Sequence, residues 1–358
     1  MRVHGGGVDA AMHELGLGRS QICDFSASIN PLGVPPGVQQ ALQQALGRIT
    51  DYPEIDGASL RLELARFHQL PEAHLLPGSG STELIYLLPR VLRPRRALLI
   101  QPGFGEYAPA LQQVGCQIDH FSLDPQNNFA FNVSDILAVL QPHTDLVVLA
   151  NPGNPSGVGI VPGQLIELAD RLGDCRLLVD EAFVDFCPER SLISRVVERQ
   201  NLLLLRSMTK FYAIPGLRAG YLAGSAADIR LLAAGREPWS LSNLAIVAAR
   251  ACLKAETFQL RTLEMIPRLR AQFQQGLEQL GWQVFAGEAN YLLCRLPDHW
   301  PPAPQIVTQL RPQGLLLRSC CDFLPLDRRY LRFAVLREEQ NLFLLQALGK
   351  LASVCDGA

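Results

Sequence analysis

Between about residues 75 and 225, short and nearly continuous apolar runs alternate with segments whose apolar residues recur at helical spacing. The runs at 96–101, 117–123, 146–151, 177–180 and 202–206 have the length and the Leu/Val content of strands covered on both faces. Between them, 106–114, 133–140 and 163–172 carry the three-to-four spacing of helices. Strand and helix taken in turn predict βαβ units, hence an α/β fold with a mainly parallel sheet and helices on both faces.

Beyond about residue 240 the pattern changes. One long helical stretch, 243–280, leads to strand-like segments at 283–285 and 290–295, strand candidates at 314–318 and 330–335, and a closing helix from Glu338. This predicts a smaller C-terminal α+β domain, completed by the N-terminal segment. The expected division is an arm, 1–30, a large domain, 31–240, and a small domain, 241–358. No repeat and no low-complexity tract interrupts it.

Composition narrows the function classes. The chain has 358 residues, 48% hydrophobic and 18% charged, enough to bury two cores. Net charge is only −2, and no basic run interleaved with aromatics occurs, which argues against nucleic acid and anionic membranes as partners. No stretch of about 18 uncharged apolar residues is present, and the first residues lack the apolar run of a signal peptide. Nine cysteines without CxxC spacing or paired histidines predict reduced thiols, a cytoplasmic setting and no structural metal.

The polar, Gly- and Pro-containing segments all follow the strand runs, where an open α/β sheet places its ligands. Lys210, in Ser207-Met208-Thr209-Lys210, comes directly after the run 202–206 among apolar neighbours. Desolvation there lowers an amine pKa, and a neutral amine is what imine formation with an aldehyde requires. Arg218, eight residues on, offers a fork for an anion, and Ser207 a hydroxyl. Asp180 ends Leu177-Leu178-Val179-Asp180; a carboxylate there needs a cation, a helix to cap or an ion pair. Asn151-Pro152-Gly153-Asn154-Pro155-Ser156-Gly157 is a turn that can present the Asn154 amide, or simply a turn. Gly78-Ser79-Gly80-Ser81-Thr82-Glu83 opens a helix over 82–88 and suits an anion; it is neither a dinucleotide fingerprint nor a P-loop.

In their order and spacing these four elements resemble the fold-type I pyridoxal-phosphate enzymes, the aspartate aminotransferase superfamily. The resemblance implies pyridoxal 5'-phosphate as cofactor, Lys210 as its Schiff-base lysine and Asp180 as the partner of its ring nitrogen. It implies that Asn154 contacts the cofactor phenolate and that Gly80, Ser81, Thr82, Ser207 and Arg218 hold its phosphate. Phe104 falls where an aromatic ring stacks on the cofactor. Tyr52, in Asp51-Tyr52-Pro53, is similar to a tyrosine that reaches the phosphate of a neighbouring subunit, which implies a homodimer. Arg332, in Tyr330-Leu331-Arg332-Phe333, is similar to the arginine that pairs with the substrate carboxylate. Phe183 departs from the tyrosine that many aminotransferases carry there.

Two branches look nearest, the histidinol-phosphate aminotransferases and the threonine-phosphate decarboxylases of cobalamin synthesis. His4-Gly5-Gly6, Asp24-Phe25-Ser26-Ala27-Ser28-Ile29-Asn30-Pro31-Leu32-Gly33, the segment from Leu205 to Arg218, and Phe183 itself resemble the second branch more closely. Gly7, Ser28 and Gly153 depart from its pattern. The expected reaction is decarboxylation of L-threonine O-3-phosphate to (R)-1-aminopropan-2-yl phosphate and CO2, with transamination of histidinol phosphate as the alternative. A third possibility is a cofactor-binding protein without catalysis. His4, Asn30, Arg318 and Arg332 are the expected substrate contacts, with the assignment of anion to arginine left open.

Overall fold

The computed structural model describes residues 5–355. A seven-stranded sheet is built from β1 (Leu75–Gly78), β2 (Arg96–Gln101), β3 (Gln117–Ser122), β4 (Leu146–Ala150), β5 (Arg176–Asp180), β6 (Leu202–Ser207) and β7 (Gly220–Ala223). The strand order is β1-β7-β6-β5-β4-β2-β3; β2 to β6 run parallel and β7 is antiparallel to both its neighbours. The continuous apolar runs follow from this placement. Leu177 and Val179 enter the apolar layer on one face and Leu178 that on the other, and Leu202 and Leu204 are split from Leu203 and Leu205 in the same way. The five strands expected from those runs are present. β1, at the sheet edge, and β7, between β1 and β6, escaped the pattern because each is only four residues long and they contain Pro77, Gly78 and Gly220.

The small domain carries an antiparallel sheet of β8 (Gln283–Val284), β9 (Tyr291–Arg295), β10 (Arg318–Ser319) and β11 (Tyr330–Ala334), in the order β10-β11-β9-β8. The single strand expected over 314–318 is split. Leu315–Leu316 pairs in parallel with Cys23–Asp24 of the arm, and only Arg318–Ser319 joins the four-stranded sheet. The arm is thus stitched to the small domain. Phe25 is buried in the small-domain core, its carbonyl accepts from the Ala334 amide at 2.9 Å, and Glu14 pairs with Arg311 at 2.6 Å.

The helical stretch expected over 243–280 is two helices, Asn243–Leu253 and Glu256–Gln279. The first, rich in small residues, packs on the helices Pro36–Ala45 and Ala58–His68, so it lies on the large-domain side of the boundary expected at residue 240. The second spans both cores: Ile266 sits in the large one, Leu269, Phe273 and Leu277 in the small one. No helix among the described residues is long and apolar enough to cross a membrane.

Candidate active site

The carboxyl ends of β4, β5 and β6, the start of the helix Gly80–Leu92 and the small-domain sheet enclose a cavity of about 230 Å³. Its lining includes Ser81, Thr82, Phe104, Asn154, Asp180, Phe183, Lys210 and Arg332. The convergence of post-strand segments expected from sequence is therefore present in three dimensions.

Lys210 lies on the short helix Met208–Phe211 that follows β6, and its Nζ donates to Ser207 Oγ at 3.0 Å. Burial pushes its pKa down to about 8, against the pull of Asp180 and with the push of Arg218 and Arg332. The ammonium also lies 5.7 Å from the centre of the Phe183 ring. Asp180 and Glu181 follow one another at the end of β5 and serve different places. Asp180 enters the cavity, whereas Glu181 pairs with Arg206 at 2.9 Å, both fully or almost fully buried. Burial pushes the Asp180 carboxyl up; a hydrogen bond from the Tyr107 hydroxyl at 2.5 Å, the Lys210 charge and the Ala182 amide at 2.9 Å oppose that.

The helix Gly80–Leu92 starts beside the cavity without a side-chain cap at Ser79, leaving first-turn N–H groups without intrahelical acceptors. Gly80 has φ +77°, and a Cβ there would come within 2.6 Å of the Arg218 guanidinium, so only glycine lets that arginine lie against the helix start. Arg218 Nη1 itself donates only to the nearby Pro215 carbonyl, at 3.0 Å. These features fit pyridoxal phosphate group by group. An uncapped helix start with an arginine alongside suits the phosphate. A buried carboxylate whose donors are a hydroxyl and an amide suits a protonated ring nitrogen, and an amine of lowered pKa suits the aldehyde.

Opposite, on β11, Arg332 donates from Nη1 to Asn154 Oδ1 at 2.7 Å and from Nη2 to the Ser26 carbonyl at 2.8 Å; its buried Nε has no hydrogen-bond partner. Its guanidinium packs 5.3 Å from the centre of the Tyr291 ring, and the Tyr291 hydroxyl donates to the Gly153 carbonyl at 2.6 Å. Gly157 and Gly287 meet close by: a Cβ on Gly157 would come within 3.0 Å of the Gly287 backbone. Small-domain residues therefore hold the loop that presents Asn154.

Arg318, Asn30 and Tyr52 do not line this cavity, although Asn30 lines an adjoining one with Lys210 and Arg218. Arg318 is buried on β10, directly across from Arg332 in register, but it lines a neighbouring cavity of about 390 Å³ and is bonded to Asp322 at 2.7 Å. Asn30 was expected at the substrate. Its side-chain amide instead donates to the Phe211 carbonyl at 2.8 Å and Thr262 Oγ1 at 2.9 Å, and its N–H to the Lys210 carbonyl at 3.0 Å. A buried carboxamide satisfies its donors first, and here they tie the lysine loop to the bridging helix. Tyr52 is 83% exposed, its ring 5.3 Å from that of Trp239, and it does not line this chain's cavity. His4 lies outside the described residues, whereas Gly5 lines the cavity wall. Sequence reasoning missed Tyr107, Tyr291 and Ser26, whose roles depend on partners about 73, 138 and 306 residues away. The one available signal was the aromatic pair itself, Tyr107 three residues past Phe104.

Similarity to known proteins agrees with this geometry. The chain is 40% identical to threonine-phosphate decarboxylase of Salmonella typhimurium, over 96% of this chain and 95% of that protein. It is 25% identical to the adenosylcobalamin biosynthesis bifunctional protein of Leptospira interrogans, over 97% of this chain and 41% of that protein. Two solved structures superpose well. Histidinol-phosphate aminotransferase from Clostridium acetobutylicum has a TM-score of 0.86 at 28% identity, covering 92% of this chain and 98% of that one. L-threonine-O-3-phosphate decarboxylase from Porphyromonas gingivalis has a TM-score of 0.82 at 25% identity, covering 91% and 98%. The profile of the family described as aminotransferase class I and II matches residues 20–348, and the chain belongs to that family.

Proposed function

We propose that this chain decarboxylates L-threonine O-3-phosphate to (R)-1-aminopropan-2-yl phosphate and CO2, with pyridoxal 5'-phosphate as cofactor, in cobalamin biosynthesis. The observation that carries the substrate is the near full-length 40% identity to threonine-phosphate decarboxylase. The geometry supports it with two buried arginines in register on adjacent strands, Arg332 lining the Lys210 cavity and Arg318 the neighbouring one, two cations for a substrate with two anionic ends.

Bound pyridoxal phosphate supplies an electron sink for the pair left when a bond to the substrate Cα breaks. The chain's residues do the rest. Ser81, Thr82, Ser207 and Arg218 would hold the cofactor phosphate, Phe104 a ring face, Asn154 the phenolate and Asp180 the proton on the ring nitrogen. Lys210 would be the amine that links the cofactor, and its lowered pKa would let it take and return a proton at the substrate. Arg332, preset by Asn154 and the Ser26 carbonyl, would clamp one anion of the substrate and so fix its orientation in the cavity. The Gly5 segment and the Phe183 ring keep water from the reacting atoms.

The test is the holoenzyme with threonine phosphate. CO2 release without a keto acid is expected; keto-acid-dependent turnover of histidinol phosphate with no CO2 from threonine phosphate would overturn the reading. We also propose a cytoplasmic homodimer. Ile49, Tyr52, Ile55 and Trp239 are 68%, 83%, 63% and 46% exposed along one stretch of surface, an apolar face that a second copy would cover. A monomeric mass in solution would sink that part.

A further inference from the structure

Arg318 and Arg332 are partners in register on adjacent antiparallel strands, an arrangement in which like charges oppose one another unless something neutralises them. The two are treated differently. Arg332 is held only by neutral acceptors, Asn154 Oδ1 and the Ser26 carbonyl, with Nε left over. Arg318 has a full counter-charge from its own chain. Its Nη2 donates to Asp322 Oδ2 at 2.7 Å, its Nη1 to the Ser319 carbonyl at 2.8 Å, and its guanidinium lies 5.0 Å from the centre of the Phe323 ring.

The two members of that ion pair are unequally placed. The Arg318 side chain is 8% exposed and pinned, whereas the Asp322 side chain is 44% exposed. Both line the 390 Å³ cavity, together with Gly7, Ser26 and Ser319, and Ser26 also lines the cavity of Lys210. The two cavities share a wall. A carboxylate at the mouth of a pocket can leave by a side-chain rotation into water, and the arginine behind it then faces the pocket with an open fork.

We propose that Asp322 is an internal counter-ion that occupies Arg318 in the free enzyme and is displaced by the phosphate group of the substrate, so that it screens anions at this subsite. The inference rests on the phosphorylated substrate proposed above. Displacing Asp322 costs the same for every incoming anion. A carboxylate carries the same single charge as Asp322 and gains nothing net from the exchange. A phosphate monoester, with about −1.5 to −2 charge and three acceptor oxygens near pH 7, keeps a surplus. The subsite thus accepts phosphomonoesters and turns away amino acids with a carboxylate in the same place.

The experiment uses holoenzyme, wild type and Asp322→Asn, with inorganic phosphate as the probe. Dissociation constants come from calorimetric titration, and KM and kcat from CO2 release. Because the cofactor's own phosphate fills its site, added phosphate reports on the substrate subsite. Removing the charge is expected to tighten phosphate by about 5-fold, the value of a half-exposed ion pair, and to lower KM for threonine phosphate by a similar factor, with the change falling on KM rather than kcat. In an Arg318→Gln background the same substitution is expected to change neither. Asp322→Ala gives a second charge-free variant, and thermal melting checks that each variant folds. Phosphate binding that is unchanged or weaker in the folded variants overturns the proposal and makes Asp322 a support for the arginine. The calorimetric arm does not depend on turnover. Absence of CO2 from wild type would sink the proposed reaction, while the phosphate constants alone decide the role of Asp322.

Discussion

On the large-domain side of the cavity, Lys210 and Asp180 stand at the ends of fully buried strands and answer one another's charge. On the small-domain side, Arg332 and Arg318 stand on short strands of a separate sheet, each held by side-chain or carbonyl acceptors. The first set is positioned by the backbone of a parallel sheet, so its geometry survives changes in ligand. The second set is positioned by side-chain contacts that cross between domains, through the Asn154 loop, Tyr291 and the arm. Chemistry common to the family sits where the scaffold is rigid. Choice of substrate sits where the contacts can be exchanged.

Substitutions on the two sides should therefore differ in kind. Lys210→Ala is expected to lose turnover by roughly 10³-fold or more and to abolish the visible absorbance of lysine-linked cofactor. In the wild-type apo-protein, a Lys210 pKa of about 8 leaves about a tenth of the amine neutral at pH 7, so cofactor uptake should quicken with pH and level off above about 8. Stopped-flow mixing with pyridoxal phosphate across pH measures this; a rate still climbing toward pH 10.5 would place Lys210 in a wetter site than the structure shows.

Arg332→Gln, on the other side, is expected to keep the cofactor absorbance and raise KM roughly 10- to 100-fold, the value of a lost charge-assisted contact. Loss of the cofactor instead would erase the distinction between the two sides. Tyr107→Phe sharpens the contrast within the large domain. Removing its hydrogen bond leaves burial less opposed, so the Asp180 carboxyl moves further up and the acidic limb of kcat/KM shifts to higher pH, with roughly a 5-fold loss at neutral pH. An unshifted limb would mean that Tyr107 only packs. Tyr291→Phe should have the smallest effect, about 1 kcal/mol of stability in a thermal melt and a modest rise in KM through the Asn154 loop.

The central strands β2, β4, β5 and β6 were legible because a strand buried on both faces needs a continuous apolar run, and few other segments carry one; β3, at the sheet edge, is exposed or half-buried throughout. The short strands β1 and β7 were not, since two-sided burial of so short a segment leaves only a few positions to read. The strand expected at 314–318 and the helix expected at 243–280 both failed by continuity. Apolar spacing is blind to a chain passing from one sheet or one core to another.

Lys210, Asp180, Asn154 and Arg218 could be named from sequence because each follows a strand in the order a parallel sheet imposes, and local chain geometry carries each to the same sheet edge. Tyr107, Tyr291 and the Ser26 carbonyl could not, because a hydrogen bond across 73, 138 or 306 residues leaves no local trace. Asn30 shows the same limit: its amide donors tie the lysine loop to the bridging helix, a structural role with no local trace in its motif. The sequence by itself determined the kind of sheet, its cofactor edge and the chemistry of that edge, all consequences of periodicity and strand order. Only the tertiary structure decided which groups neutralise one another, including the Asp322 carboxylate on Arg318. Charge pairing depends on distance in space, and distance in space is what the order of residues leaves open.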